Sequence, residues 1–410
     1  MHSNLGHVTS PRSTPRWIHT IVAPMSANAK DGSLGLGTLL AGAHLEEDVA
    51  HGYIAPSWAP TTTYARDDDY ALVGLTDYQR HNHPNARAVE NLLATLEHGE
   101  RALLFTSGMG AATSVFHLLE EGSHVILPRV MYWSLRKWLY DWSKRNRIEI
   151  DFVDLTDIEN AKRALKPNTK LFWLECPANP TWDVCDIEAL SALAHANGAF
   201  VAIDSTNATP VVTRPIDFGA DFVVHSATKL LNGHSDVLAG AVIAKKYDAR
   251  FKLLEKHRRE NGTLLAPFEA WLLLRGMRTL EVRVQRANQS ALEIANALAN
   301  HPRLERVLYP GLATHPNHEV AKKQMSGGFG AVLSLLVKEP AGSNGDETAK
   351  IMSRIRLMKR ATSLGGFETL IEQRKRIEGP ESPVPDNLIR LSIGLEDPRD
   401  LLADMLQALG

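Results

Sequence analysis

The chain has 410 residues, too many for one simple core and enough for two or three domains. Its 45 Lys and Arg against 47 Asp and Glu leave a formal net charge of −2, so no global field draws it toward nucleic acid or an anionic membrane, and 44% hydrophobic residues is ordinary for a globular enzyme. Two cysteines, Cys176 and Cys185, exclude a disulfide framework and suit the reducing cytoplasm, and no apolar run approaches the roughly 20 residues that cross a bilayer.

Residues 1–37 carry Arg12, Arg16 and Lys30, many Ser and Thr, and no acid before Asp31. They read as a disordered tail. An upstream start, with Met25 as the natural one, or an Arg- and Ser-rich transit peptide are the alternatives. Further on, Tyr78-Gln79-Arg80-His81-Asn82-His83-Pro84 precedes the first clear strand. Arg80 suits a bidentate phosphate contact. His81 and His83 lack third and fourth ligands at a metal-binding spacing, so no metal is expected.

From about Ala88 to Ala244 short apolar runs alternate with amphipathic stretches. The expected strands are 101–105, 124–127, 170–174, 200–203, 222–224 and 239–243, and the expected helices 110–120, 134–145, 157–165 and 186–197. This alternation predicts an α/β fold with a mostly parallel sheet covered on both faces. After Phe251 helices are expected over 267–286 and 290–300, then strands over 304–309, 328–337 and 387–393, forming a smaller α+β domain.

Several strand ends carry chemistry. Ser107-Gly108-Met109-Gly110 lies between a strand and a helix, where backbone N–H groups bind anions and glycines allow close approach. It imitates a dinucleotide fingerprint, but the third glycine position is Thr113 and no acid ends a strand about 20 residues on. Tyr132 follows a strand and could stack on a planar cofactor or move a proton. The most pointed segment is His225-Ser226-Ala227-Thr228-Lys229. A lysine that joins an aldehyde must be neutral, which a crowded, partly desolvated site favours, and Ser226 and Thr228 could donate to a phosphate nearby. Asp204, ending an apolar run, could hold a proton on the pyridine nitrogen of pyridoxal 5′-phosphate (PLP). Taken singly, each has a plainer reading: a solvated loop lysine, a helix-capping aspartate, a half-buried tyrosine. Arg390, inside an apolar strand, could fix a substrate carboxylate or form an ion pair with Glu396 or Asp397.

Jointly these residues resemble the Cys/Met-metabolism family of PLP-dependent enzymes, which includes cystathionine γ-synthase, cystathionine γ-lyase, cystathionine β-lyase and methionine γ-lyase. The likeness runs from about Thr38 to Leu409. It rests on Tyr78-x-Arg80 with Pro84, Ser107-Gly108-Met109, Glu175-x-Pro177-x-Asn179-Pro180, Ser226-x-Thr228-Lys229 with Asn232-Gly233-His234-Ser235-Asp236, Ser363-Leu364-Gly365-Gly366 with Glu368, and Arg390-Leu391-Ser392-x-Gly394. The resemblance implies the aspartate-aminotransferase-like fold (fold type I). Residues 38–84 would be an arm serving the neighbouring subunit's site, 85–275 the PLP-binding domain and 276–410 the small domain. Lys229 would hold PLP and carry protons, and Asp204 would pair with the pyridine nitrogen. Gly108, Met109, Ser226 and Thr228 would hold the phosphate, and Tyr132 would stack on the ring. Tyr78 and Arg80 would reach the neighbour's phosphate within a homotetramer built from two dimers. Asn179, Arg390 and the backbone near Ser363 would grip the carboxylate of a small amino-acid substrate, with Leu364 close by.

The sequence also departs from that pattern. Tyr132-Trp133-Ser134-Leu135 is bulkier than the usual Tyr-Gly-Gly-Thr, Asp204-Ser205-Thr206 replaces Asp-Asn-Thr, Asn207 stands where an aromatic is common, and His83-Pro84-Asn85 replaces Asn-Pro-Thr. Arg374-Lys375-Arg376-Ile377-Glu378-Gly379-Pro380 takes the place of Pro-x-x-Met-x-His. Ser363-Leu364-Gly365-Gly366 is similar to the members that act at Cγ, which favours γ-elimination or γ-replacement. The bulky segment after Tyr132 leans instead toward β-elimination. A non-sulfur leaving group such as the oxyguanidine of canavanine, an aminotransferase on the same scaffold, and a non-catalytic PLP-binding protein remain as alternatives.

Overall fold

The computed structural model describes residues 34–43 and 52–410. Residues 1–33 of the expected tail lie outside the described residues; Leu36–Thr38 is helical and Leu40 is buried against the core.

Seven strands form the large sheet: β1 (Arg101–Phe105), β2 (His124–Pro128), β3 (Glu149–Val153), β4 (Thr169–Glu175), β5 (Phe200–Asp204), β6 (Phe222–His225) and β7 (Gly240–Ala244), in the order β1-β7-β6-β5-β4-β2-β3. All neighbours pair in parallel except those of β7, which runs against both β1 and β6. The apolar strands have two buried faces. Ile126, Phe172, Val201 and Val223 point to one side, with helices Pro84–Leu96, Ile187–Ala196 and Pro267–Met277. Val125, Leu171, Trp173 and Val224 point to the other, with Gly108–Phe116, Trp133–Asn146 and Ala249–Asn261. Coverage of both faces is what near-continuous apolar strands require. No helix among the described residues is long and apolar enough to cross a membrane.

The second sheet has five strands in the order β10-β11-β12-β9-β8, with β8 (Leu304–Leu308), β9 (Val332–Val337), β10 (Lys359–Arg360), β11 (Leu370–Gln373) and β12 (Leu388–Ser392). A third cluster, including Ile294, Leu333, Ile389, Leu391 and Met405, packs one face against helices Leu280–Leu298 and Pro398–Leu409. The mixed α/β architecture with a smaller second sheet agrees with expectation. Three strands are additional: β3, a half-exposed edge strand, and β10 and β11. The long helix break also differs. It falls at Arg278 and Thr279, between Pro267–Met277 and Leu280–Leu298, not near residue 288. Asn288 is buried inside the second helix, and its amide donates to the Gly327 carbonyl at 3.1 Å, so the polar residues there make tertiary contacts instead of ending the helix.

Candidate active site

Five loops leave the carboxyl ends of β1, β2, β4, β5 and β6 on one side of the large sheet, where open α/β sheets bind ligands. They meet residues 362–364, Arg374 and Arg390 from the second sheet around a cleft of about 180 Å³. The structure brings Gly108, Met109, Tyr132, Asn179, Asp204, Ser226, Thr228, Lys229, Ser363, Leu364 and Arg390 together on its walls.

Ser107 begins one wall. Its hydroxyl accepts from Gly110 N at 3.0 Å and its carbonyl from Ala111 N at 3.0 Å, starting helix Gly108–Phe116. The amides of Gly108 and Met109 make no hydrogen bond among the described residues and remain for an anion at the positive end of the helix. Gly108 must be glycine, because a Cβ there would lie 2.6 Å from Ser226 Cβ and 2.9 Å from Ser226 Cα. The hydroxyl of Thr228, expected on a phosphate, is engaged with Ala239, donating to its carbonyl at 3.1 Å and accepting from its amide at 2.9 Å.

The Lys229 amine donates to Ser363 Oγ at 2.7 Å. Ser363 has φ +116°, a strained conformation for a residue with a side chain. Burial, then the fields of Arg390 and Arg374, bring the lysine down to about 8 against an opposing pull from Glu372. Asp204 Oδ1 accepts from Thr206 N at 2.9 Å, and burial raises the carboxyl above its ordinary range. Directly across the ladder stands Glu175, the register partner of Asp204. Its two oxygens accept from Tyr132 N at 2.8 Å and Asn179 N at 2.9 Å, and burial with the nearby Asp204 pushes it far up. Glu175 thus fixes two predicted site residues in place. The signal that assigns Asp204, an acid ending an apolar run, applies to it equally.

Arg390 Nη1 donates to Asn179 Oδ1 at 3.0 Å and Nη2 to the Ser363 carbonyl at 2.8 Å. Its ion-pair partner is Glu372 at 2.6 Å, and neither Glu396 nor Asp397 takes that place. Glu396 instead accepts from Thr369 N at 2.7 Å, and Asp397 pairs with Arg399. Leu364 packs against Trp182 and Val332.

Tyr78 and Arg80 do not line this cleft. Tyr78 is exposed, and Arg80 donates to the Arg259 carbonyl at 2.8 Å. His83 starts a helix, its Nδ1 accepting from Ala86 N at 3.1 Å while Nε2 donates to the Leu265 carbonyl at 2.8 Å. His81 pairs with Asp77.

The donor set fits PLP. A glycine cradle with unused amides suits a phosphate, a partly desolvated amine suits the aldehyde, and a desolvated carboxyl suits the ring nitrogen. The buried Asn207 Oδ1 in the same wall has no partner among the described residues.

The family model for Cys/Met metabolism PLP-dependent enzymes matches residues 37–410. A cystathionine gamma-lyase of Dictyostelium discoideum is 37% identical over 91% of this chain and 97% of its own. An L-methionine gamma-lyase of Fusobacterium nucleatum subsp. polymorphum is 40% identical over 81% of this chain and 85% of its own. The crystal structure of metB from Corynebacterium glutamicum superposes with a TM-score of 0.88 at 36% identity, covering 92% of this chain and 98% of that one. Sequence, fold and cleft chemistry therefore agree that this chain belongs to the Cys/Met-metabolism family of PLP-dependent enzymes, the lyases and transferases of amino-acid side chains.

Proposed function

We propose that the cleft carries out γ-elimination or γ-replacement on a small amino acid, with PLP attached at Lys229. The observation that carries this reading is that the half-buried Lys229 lines one cleft together with Asp204 and the hydrogen-bonded Arg390–Asn179 pair. Asp204 would hold the pyridine nitrogen, Tyr132 would cover the ring, and the amides of Gly108 and Met109 with Ser226 would hold the phosphate. When bound, the cofactor supplies a conjugated ring that accepts electrons from the substrate's α-carbon.

Arg390 and Asn179 bind the α-carboxylate and turn the α-hydrogen toward Lys229, a positioning effect. The Lys229 amine removes that proton, and for a leaving group on Cγ it also moves a proton from Cβ. The Tyr132 hydroxyl gives a proton to the departing group. Leu364 lines the cleft beside Ser363, and the likeness of Ser363-Leu364-Gly365-Gly366 to the members that act at Cγ supports γ over β chemistry.

Assembly belongs to the same proposal. Tyr78 and Arg80 sit outside their own cleft, in an arm that exposes Ile54, Trp58 and Tyr70. A neighbouring subunit in a homotetramer would cover these side chains and receive Arg80 beside its phosphate. A cytoplasmic location fits two free, buried cysteines.

The test is turnover of cystathionine, methionine, O-acylated homoserines and canavanine, with products identified by mass. 2-Oxobutyrate or homoserine derivatives are expected, and pyruvate alone would select β-elimination. Lys229→Ala should lower turnover by at least ~10³-fold. Retained activity in that variant would sink the proposal.

A further inference from the structure

The stretch 374–380, where the family usually has Pro-x-x-Met-x-His, places one cation in the cleft wall. Glu372 and Arg390 are register partners on β11 and β12, and Arg374, two residues on, opens the short helix Arg374–Glu378. Glu372 Oε1 accepts from both Arg390, at 2.6 Å, and Arg374, at 2.7 Å. Arg374 also reaches Glu378 at 2.6 Å, and Glu378 in turn accepts from the Ser382 hydroxyl. All four charged side chains are at most 5% exposed.

Arg390 would be a poor receptor for a carboxylate if Glu372 alone neutralised it. With Arg374 present, two guanidiniums balance two carboxylates. Without it, one negative charge is left over where another must dock, in surroundings that screen little. We propose that Arg374 is a positioning residue that keeps Arg390 available to the substrate carboxylate by engaging Glu372 and Glu378. This rests on the reading of Arg390 as the carboxylate-binding group. A purely structural role, tying residues 378–382 to the second sheet, would make the same hydrogen bonds but would not respond to charge balance.

The test is calorimetric binding of pentanoate, an unreactive carboxylate without an amine, to the holoenzyme, together with steady-state kinetics. Arg374→Gln should weaken pentanoate at least about tenfold and raise KM by a similar factor, with kcat changing less than about threefold. The double variant Arg374→Gln/Glu372→Gln removes one charge of each sign, including the carboxylate that competes for Arg390, and should recover most of the binding. It also serves if the single variant folds poorly. Unchanged binding in Arg374→Gln, or a double variant as weak as the single one, overturns the proposal. Pentanoate binding that survives Arg390→Gln overturns the reading of Arg390 itself.

Discussion

Burial and two nearby guanidiniums set the chemistry of Lys229. An ordinary lysine titrates near 10.4, whereas this one lies at about 8. Because the shift is downward, the amine is neutral above that pH and protonated below it. Uptake of PLP by the apoprotein needs the neutral amine. The uptake rate, followed by absorbance, should therefore rise with pH and level off above about 8. Replacing Arg390 with Gln removes a cation and should move the midpoint upward. A wild-type rate still climbing near pH ~10 would mean a solvated lysine. Lys229, Asp204 and the Gly108 turn were legible in the sequence because each lies at or a few residues beyond the carboxyl end of a strand, so local order along the chain places it. Glu175, Glu372 and Arg374 were not assigned roles. Their importance comes from cross-strand partners, Asp204 for one and Arg390 for another, which the order of residues along the chain does not display.

At the level of elements, the close meeting of helix Gly108–Phe116 with the segment after β6 is a tight requirement of the site. Gly108→Ala would drive a methyl into Ser226, including its backbone, and should cost about 1–3 kcal/mol of stability along with weaker PLP retention. Gly110→Ala is the control, since its nearest neighbour is Ser107 Oγ at 3.4 Å. Melting temperature and cofactor release measure both, and equal effects at the two positions would refute the contact. The buried parallel strands were readable from their apolar runs. The edge strand β3 was not, because Glu149, Ile150 and Asp151 mix polar and apolar residues on a half-exposed edge. Strand β11 escaped for a related reason: Glu372 and Gln373 are polar but buried, paid for by Arg390, Arg374 and backbone carbonyls.

For the whole molecule, the arm makes a prediction that one chain alone cannot satisfy. If Arg80 serves the neighbour's site, Arg80→Ala and Lys229→Ala chains should each be inactive yet complement each other when co-expressed. Random pairing about a twofold axis would give about a quarter of wild-type activity. No recovery in hybrids shown to contain both chains would argue that Arg80 acts elsewhere.

The loop from Cys176 to Trp182 joins the two sheets more firmly than chain connectivity alone. Trp182 Nε1 donates to Ser334 Oγ at 2.8 Å, and that hydroxyl donates to the Pro180 carbonyl at 2.8 Å, while Asn179 meets Arg390 and Lys229 meets Ser363. Either half would have to abandon buried polar partners to melt by itself. Scanning calorimetry of the apoprotein should accordingly record one cooperative endotherm, and Ser334→Ala should begin to divide it into two.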